Sequence, residues 1–441
     1  MKRYASYKAS GVEWLGELPE HWTKKRLRDC IEGCASGVWG DEPDRGEDDI
    51  PVIRVADFDR ERRQVVEYET HRKVDASQRQ SRALNPGDLL IEKSGGGEQQ
   101  PVGMVVSYLG PAGAVCSNFV ARMPPRSGVI SRFMVYLHAY LYASRVTGIS
   151  IKQTTGIQNL DATAYLSQAC FLPPPDEQQA IADYLDAETA RIDTLIQEKE
   201  GLIGLLREWR QSVIAEAVTK GLDERVAMKP SGVTWLGEVP EHWKIERLRF
   251  RVKLNPLPSR SLDAEQLTSF LPMEAIGDDG TLDLERTRRV GEVASGYTFF
   301  EDGDIAIAKI TPCYENGKGA VMVGLHEGIG FGTTELIVMR PTQADCPQWL
   351  YYLTMCSAFR LPGEALMQGA GGQKRVPDLF VKDYVAPVPP LDEQQAIADY
   401  LDVETTKIDT LITHTQEAIA LLKELRAATI ADAVLGRVDV R

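Results

Sequence analysis

Apolar residues recur at alternating spacings of four and three along two stretches of the chain. From Ile181 the positions are Ile181, Leu185, Glu188, Ile192, Leu195, Lys199, Leu202, Leu206, Trp209 and Val213, eight of the ten apolar. From Ile397 they are Ile397, Leu401, Glu404, Ile408, Leu411, Thr415, Ala418, Leu422, Leu425 and Thr429, seven of the ten apolar. That spacing predicts a coiled-coil seam, because it keeps one line of side chains facing a partner helix. Each stretch runs about 44 residues, or roughly 65 Å at 1.5 Å per residue. Asp176 with Gln179, and Asp392 with Gln395, have the spacing of a capping box at the start. Gly221 and Gly436 are the predicted stops, and Gly201 and Gly204 leave room for a bend in the first helix. Two such seams in one chain predict that the helices pair with each other, antiparallel.

The rest of the chain has a different rhythm. Short β-type runs such as "DLLIEKS", "VGMVVSYLG", "DIAIAKI" and "ELIVMR" are punctuated by Gly, Pro and Asp. They predict mixed α/β, β-rich domains with inserted helices, one of them over 133–142. The chain is also a repeat. "SGVEWLGELPEHW" at 10–22 returns as "SGVTWLGEVPEHW" at 231–243, and "DEQQAIADYLD" at 176–186 returns unchanged at 392–402. Between these motifs the copies diverge, yet Gly87-Asp88 matches Gly303-Asp304 and Lys93 matches Lys309 at an offset of 216. The predicted architecture is an α+β, pseudo-two-fold chain: a β-rich domain at 1–175, a helix at 176–222, a second domain at 223–391 and a second helix at 392–441. The two globular domains are separated by the antiparallel coiled coil.

Charge changes this picture only through its distribution. The net charge is −14, which at first argues against nucleic acid. The helical segments 176–220 and 392–437 supply ten of those fourteen excess negative charges, so basic clusters can exist elsewhere. Seven scattered cysteines include no CxxC pair, which predicts reduced thiols in a cytoplasmic protein without a zinc site. No apolar run approaches the length of a membrane span, and the first residues do not read as a secretion signal.

On "SGVEWLGELPEHW", "PPPDEQQAIADYLDAETARIDTLI" with its second copy "PPLDEQQAIADYLDVETTKIDTLI", and the order domain, helix, domain, helix, the chain resembles the specificity (S) subunit of type I restriction–modification enzymes. "GDLLIEKSGGG" and "GDIAIAKITPCYENGKGAVMV" resemble the family's target recognition domains. The resemblance covers essentially the whole length. It implies that each domain reads one half of a split double-stranded DNA site. The helices would set the spacing between the halves and dock two methyltransferase (M) subunits, and restriction (R) subunits would complete the assembly. S-adenosylmethionine, ATP and Mg would then belong to the partner subunits, with no cofactor in this chain.

The residues agree with a chain that carries no chemistry. The string Asn255-Pro256-Leu257-Pro258 lacks the paired prolines and aromatic of an adenine methyltransferase motif and reads as a turn. No GxxxxGK[ST] phosphate loop occurs. Asp41, Glu42, Asp44, Glu47, Asp48 and Asp49 could hold a metal in a nuclease, but a solvated acidic loop accounts for them. His21 and His242 recur between Glu and Trp, which suggests packing. Two alternatives remain: a metal-dependent nuclease or modification enzyme, and a repeat scaffold that binds only protein.

Base edges are read by Arg or Lys on guanine and by Asn or Gln on adenine, while phosphates take Lys, Arg and backbone N–H groups. Two segments per copy offer that chemistry. The first supplies Lys93, Ser94, Gly95, Gly96, Gln99 and Gln100, matched by Lys309, Thr311, Tyr314, Asn316 and Lys318. The second, expected as a loop, supplies Lys152, Gln153, Thr154, Gln158 and Asn159, matched by Gln373, Lys374 and Arg375. The acidic helices between the readers would be repelled from phosphate.

Overall fold

The computed structural model describes residues 2–12, 15–154, 156–258, 260–370 and 372–441. Glu13 and Trp14 of the first motif copy, and Thr155 and Gly371 of the polar segments, lie outside them, as does the side chain of the candidate Thr154. Two compact units result, Met1–Glu198 with Glu417–Arg441, and Lys199–Gln416. Each unit holds one β-rich domain, the start of one long helix and the end of the other.

The predicted β runs form the domain sheets. In the first unit Leu89–Glu92 lies between Val105–Tyr108 and Val120–Met123, antiparallel to both, in a five-stranded sheet. In the second, Ile305–Ala308 lies between Gly319–Val321 and Leu336–Pro341, again antiparallel to both. Both central strands are buried along their whole length, which is why they read as continuous apolar runs. The aspartate before each strand is buried and fixes its turn. Asp88 accepts from the Asn85 backbone N–H at 2.7 Å and from Arg122 at 2.6 Å. Asp304 accepts from the Glu301 backbone N–H at 2.8 Å and from Arg340 at 2.7 Å. The helix expected over 133–142 spans Ser131–Ala143 and packs into the first core.

The long helices span Pro175–Lys220 and Leu391–Val434. The first runs unbroken through Gly201 and Gly204. Gly221 and Gly436 follow with φ of +79° and +65°, the left-handed conformation that ends helices. The expected capping boxes do not form. Each helix starts one residue earlier, and Gln179 and Gln395 donate forward to Asp183 and Asp399, both at 2.9 Å. Pro175 suits that first position because its missing N–H has no intrahelical partner; in the second helix Leu391 holds it.

The predicted seam positions are buried at the start of each helix, where they pack on the domain core as well as on the end of the other helix, and several are exposed further along. Ile181, Leu185, Ile192, Leu206, Ile397, Leu401 and Ile408 are buried. Leu195, Val213 and Leu422 are half-buried. Leu202, Trp209, Leu411 and Leu425 are exposed, their places taken by Ile203, Arg210, Ile412 and Arg426. The buried stripe follows 3.6 residues per turn, not the supercoil's 3.5, so the two readings part by about 20° per heptad. In the first unit Arg426 binds Asp193 at 2.8 Å; in the second Arg210 binds Asp409 at 3.0 Å. These pairs sit on the stripe and are equivalent at the 216 offset. Within each unit, residues near the start of one helix meet residues near the end of the other, so the packing is antiparallel.

The two repeated motifs meet in a joint. Trp22 donates its indole N–H to buried Glu177 at 2.9 Å, and His21 Nε2 lies 2.7 Å from the same carboxylate. Gln178 accepts from the Ile130 backbone N–H at 2.9 Å, fixing the helix start to the domain. The end of the other helix closes the joint: a Cβ on Gly436 would lie 2.4 Å from the Pro19 ring. The second unit repeats the arrangement with His242 on Glu393 at 2.8 Å and Gln394 on the Cys346 N–H at 2.8 Å. There a Cβ on Gly221 would lie 3.2 Å from Trp243. Tyr136 and Tyr352 add matching bonds to Asp186 and Asp402. Trp243 differs from Trp22 in one respect, since its buried indole N–H has no partner.

Candidate nucleic-acid interface

In the first unit the two polar segments come together. Ser94–Gly95 pairs with Ile157–Leu160, which pairs with Ile151–Thr154, in one three-stranded sheet. The second segment is therefore a β-hairpin, not the loop expected, with Gln158 and Leu160 on the buried face of its second strand. Gly95 and Gly96 take φ of +126° and +25°, and a Cβ on Gly96 would lie 2.7 Å from the Val102 nitrogen. The tight turn that follows leaves Gln99 and Gln100 exposed. Gln153 is also exposed. Lys152 reaches Asp161 at 2.8 Å but stays largely in solvent. Lys93 donates to the Ser36 hydroxyl at 2.6 Å, and Ser94 bonds Asn159. Gln158 is a correction: it is buried and accepts from the Val102 N–H at 3.3 Å, so it braces the sheet.

The second unit repeats the juxtaposition with different chemistry. The Thr311 N–H donates to the Lys374 carbonyl at 3.0 Å, and the Val376 N–H to the Lys309 carbonyl at 2.8 Å. Asn316, Gln373 and Lys374 are exposed, and Thr311 donates to Glu315 at 3.0 Å. Two candidates turn inward and a third is held in an ion pair. Tyr314 is fully buried, with its hydroxyl on the Phe359 and Arg360 carbonyls and the Arg360 guanidinium over its ring. Lys318 binds the Met273 and Ile276 carbonyls at 3.2 and 2.9 Å. Arg375 forms a two-pronged pair with Glu335 at 2.7 and 2.8 Å, which holds that carboxyl below its usual range. Composition assigned these residues to the loop; burial and pairing assign them to its support.

A cleft lies beside each segment. The first, about 620 Å³, is lined by Ser94, Gly95, Gly96 and Gln100 together with Trp39, Arg54, Arg60, Glu92, Asn118 and Phe119. Trp39 and Phe119 are partly exposed aromatics, the type of surface on which bases stack. Glu92 forms the buried floor, with Arg60 at 3.6 Å. Burial raises its carboxyl above the usual range, and Arg60 opposes that rise. The second cleft, about 470 Å³, is lined by Lys309, Asn255, Arg260, Tyr297, Phe299 and Phe331. At the 216 offset the equivalents of Glu92 and Phe119 are Ala308 and Glu335. Neither of these lines the second cleft; Asn255, at the 216 offset from Trp39, does, and the two clefts present different groups. Trp39, Arg54, Arg60, Phe119, Arg260 and Tyr297 were missed because they reach the clefts from distant parts of the sequence. A lone partly exposed Trp in the turn "SGVWGDEP" was the one local signal.

The acidic loop is internally matched. Glu42 pairs with Arg72 at 2.6 Å, Asp44 with Lys73 at 2.6 Å, and Asp48 with Arg79; Lys73 holds the Asp44 carboxyl low. Asn255 makes a turn, bonding Asp378 at 2.9 Å and the Val338 N–H at 3.0 Å. Among the described residues, no three His, Cys, Asp or Glu side chains converge as a metal site would, and no helix is long and apolar enough to cross a membrane.

Comparison with known proteins agrees with the motifs. No family model matches the chain. It is 45% identical over 163 residues to the type I restriction enzyme EcoEI specificity subunit of Escherichia coli, a match covering 36% of this chain and 27% of that protein. Identity to the EcoAI specificity subunit of Escherichia coli is 44%, with the same coverage. The matched segment thus spans about a quarter of the length of those relatives. In fold, the chain is similar to a solved chain described under "Structural basis underlying complex assembly and conformational transition of the type I R-M system". That match has a TM-score of 0.67 at 16% identity and covers 95% of this chain and 98% of the other. It is also similar to the HsdS subunit from Thermoanaerobacter tengcongensis, with a TM-score of 0.55 at 18% identity, covering 96% and 98%. The resemblance to type I restriction enzyme specificity subunits therefore holds, in sequence over part of the chain and in fold over nearly all of it.

Proposed function

We propose that this chain is the DNA-sequence specificity subunit of a type I restriction–modification system. One observation carries the reading: the two units share matching joints and bring the same pair of polar segments together, yet those segments differ in the side chains they present. Each domain would read one half of a bipartite double-stranded DNA site, and the domains differ because the halves differ. The long helices would set the spacing between halves and dock two methyltransferase subunits, with restriction subunits joining the full complex. The chain would contribute recognition and no catalysis. S-adenosylmethionine, ATP and Mg would act on the partner subunits, in the cytoplasm.

Methylation mapping of the host genome, with and without this chain, tests the reading. The expected result is a bipartite methylated motif that disappears when the chain is removed. An unchanged methylation map would reject the proposal. A nuclease reading predicts instead Mg-dependent cleavage by the purified chain. A protein-only scaffold predicts no salt-dependent DNA affinity in the presence of methyltransferase subunits.

A further inference from the structure

Among the described residues, one buried carboxylate oxygen has no hydrogen-bond donor, and it belongs to a residue of the first cleft. Glu92 ends the central strand of the first unit and is 1% exposed, yet its Oε2 is unpartnered. Its backbone is fixed. The Glu92 N–H donates to the Met104 carbonyl at 2.9 Å, and the Glu92 carbonyl accepts from the Gly103 N–H at 3.0 Å. The side chain therefore stands on a paired strand and lines the cleft. Other buried acids are satisfied: Asp88 and Asp304 each hold an arginine and a backbone N–H, and Glu177 holds Trp22 and His21.

The nearest cation does not complete Glu92. Arg60 stands 3.6 Å from its Oε2, longer than a hydrogen bond, and reaches the Met104 sulfur, also at 3.6 Å. Arg54, the other cation of the cleft, is held by Asp57 at 2.9 Å. A Cβ on Gly95 would lie 3.7 Å from Glu92 Oε1, so the glycine keeps side-chain atoms off the carboxylate on that side. Trp39 and Phe119 wall the cleft, and beside such apolar surface an unpaired acceptor is costly. A ligand that brings a donor removes that cost.

Duplex DNA supplies the donor selectively. In the major groove the base donors are adenine N6 and cytosine N4, whereas guanine and thymine turn carbonyl acceptors to the same place. A carboxylate accepts from the first two and repels the others. Arg60 beside it can donate to the neighbouring acceptor, which is N7 of adenine or O6 of the guanine paired with cytosine.

We infer that Glu92 is a specificity-determining residue of the first domain, accepting a hydrogen bond from the exocyclic amino group of one adenine or cytosine in its half-site. The inference rests on the function proposed above and assigns one class of base to that site. Arg60 turns from its long contact with Glu92 to the adjacent acceptor. The second domain has Ala308 at the corresponding strand position and reads its half-site by other groups.

Methylation mapping of a host carrying Glu92→Gln tests this. The amide nearly matches the carboxylate in shape, but it donates as well as accepts. The unaltered chain should require adenine or cytosine at one position of the first half-site. The variant should admit guanine or thymine there, with methylation of those sites raised about tenfold. The second half-site and the spacing should stay as they were, showing that the variant is folded and assembled. A folded variant whose motif is unchanged at every position would overturn the inference.

Synthetic duplexes give a second measurement, made with the full chain and the host's purified methyltransferase subunits. Replacing that adenine by purine, or that cytosine by 2-pyrimidinone, removes only the amino group and should weaken binding by the unaltered chain about tenfold. With Glu92→Ala the same replacement should change nothing. Equal weakening in both chains would overturn the inference. If the unaltered chain directs no bipartite methylation, the proposed function itself fails, a result distinct from a motif that ignores Glu92.

Discussion

The joints and the clefts of this chain have diverged at very different rates. Trp22 and Trp243 stand in corresponding joints, each packed by the start of one helix and the glycine that ends the other. Glu92 and Ala308 occupy corresponding places on the central strands, yet one forms a charged cleft floor and the other does not. The difference separates two kinds of constraint. A joint must satisfy several partners at once, so few sequences fit it. A cleft wall faces outward and answers only to its ligand, so it is free to change when the ligand does.

The joints offer the largest expected effects. Trp22→Ala or Trp243→Ala removes a fully buried indole and should cost about 3–5 kcal/mol, read as a loss of thermal stability in the unit concerned. The conservative variant sharpens the comparison. Trp22→Phe leaves buried Glu177 without its indole donor, whereas the Trp243 N–H has no partner to lose. The first should therefore cost more than the second by about 1–2 kcal/mol. Equal costs would mean that packing alone holds both joints.

The charged pairs on the stripe come next. Arg210→Asp places two carboxylates together and should destabilise the second unit by about 2 kcal/mol, with Asp409→Arg restoring much of the loss. The corresponding reversal of Arg426 and Asp193 should be rescued less completely, because Arg426 also binds the Glu61 carbonyl at 3.0 Å. Urea melts of single and double variants would show both results. Identical rescue at the two sites would remove that carbonyl contact from the account.

Glu92 should give the smallest change and the opposite sign. Its folded-state carboxyl is raised by burial, so the folded chain holds this proton more tightly than the unfolded chain does. Its contribution is fully present below the unfolded carboxyl's range and declines as pH rises through the raised folded value. Glu92→Gln should therefore raise stability at neutral pH, by no more than about 1 kcal/mol, and flatten the decline. A variant less stable at neutral pH would show that the Arg60 contact outweighs burial.

Much of the frame was legible in the sequence. Length and spacing placed the long helices, repetition marked the joints, and buried apolar runs placed the central strands. The seam register drifts beyond Leu195, with Leu202 and Trp209 exposed while Leu206 stays buried, because a 3.5-residue repeat and a 3.6-residue helix separate over several turns. Arg210 and Arg426 fall outside the predicted seam, although their recurrence at the 216 offset, together with that of Asp193 and Asp409, was a readable sign of reciprocal pairing. The candidate interface was less legible. Lys318, Tyr314 and Gln158 share composition with a DNA-contacting loop, and only packing shows that they face inward. The first cleft draws on residues near 39, 54–60, 92–100 and 117–119, and no local pattern announces that they meet.

The claim that reading resides separately in the diverged clefts is tested most directly by methylation mapping of a host carrying Trp39→Ala with Phe119→Ala. The account predicts that the half-site read by the first domain is altered or relaxed while the other half-site and the spacing stay as they were. A map in which both half-sites change together, or in which neither changes, would contradict it.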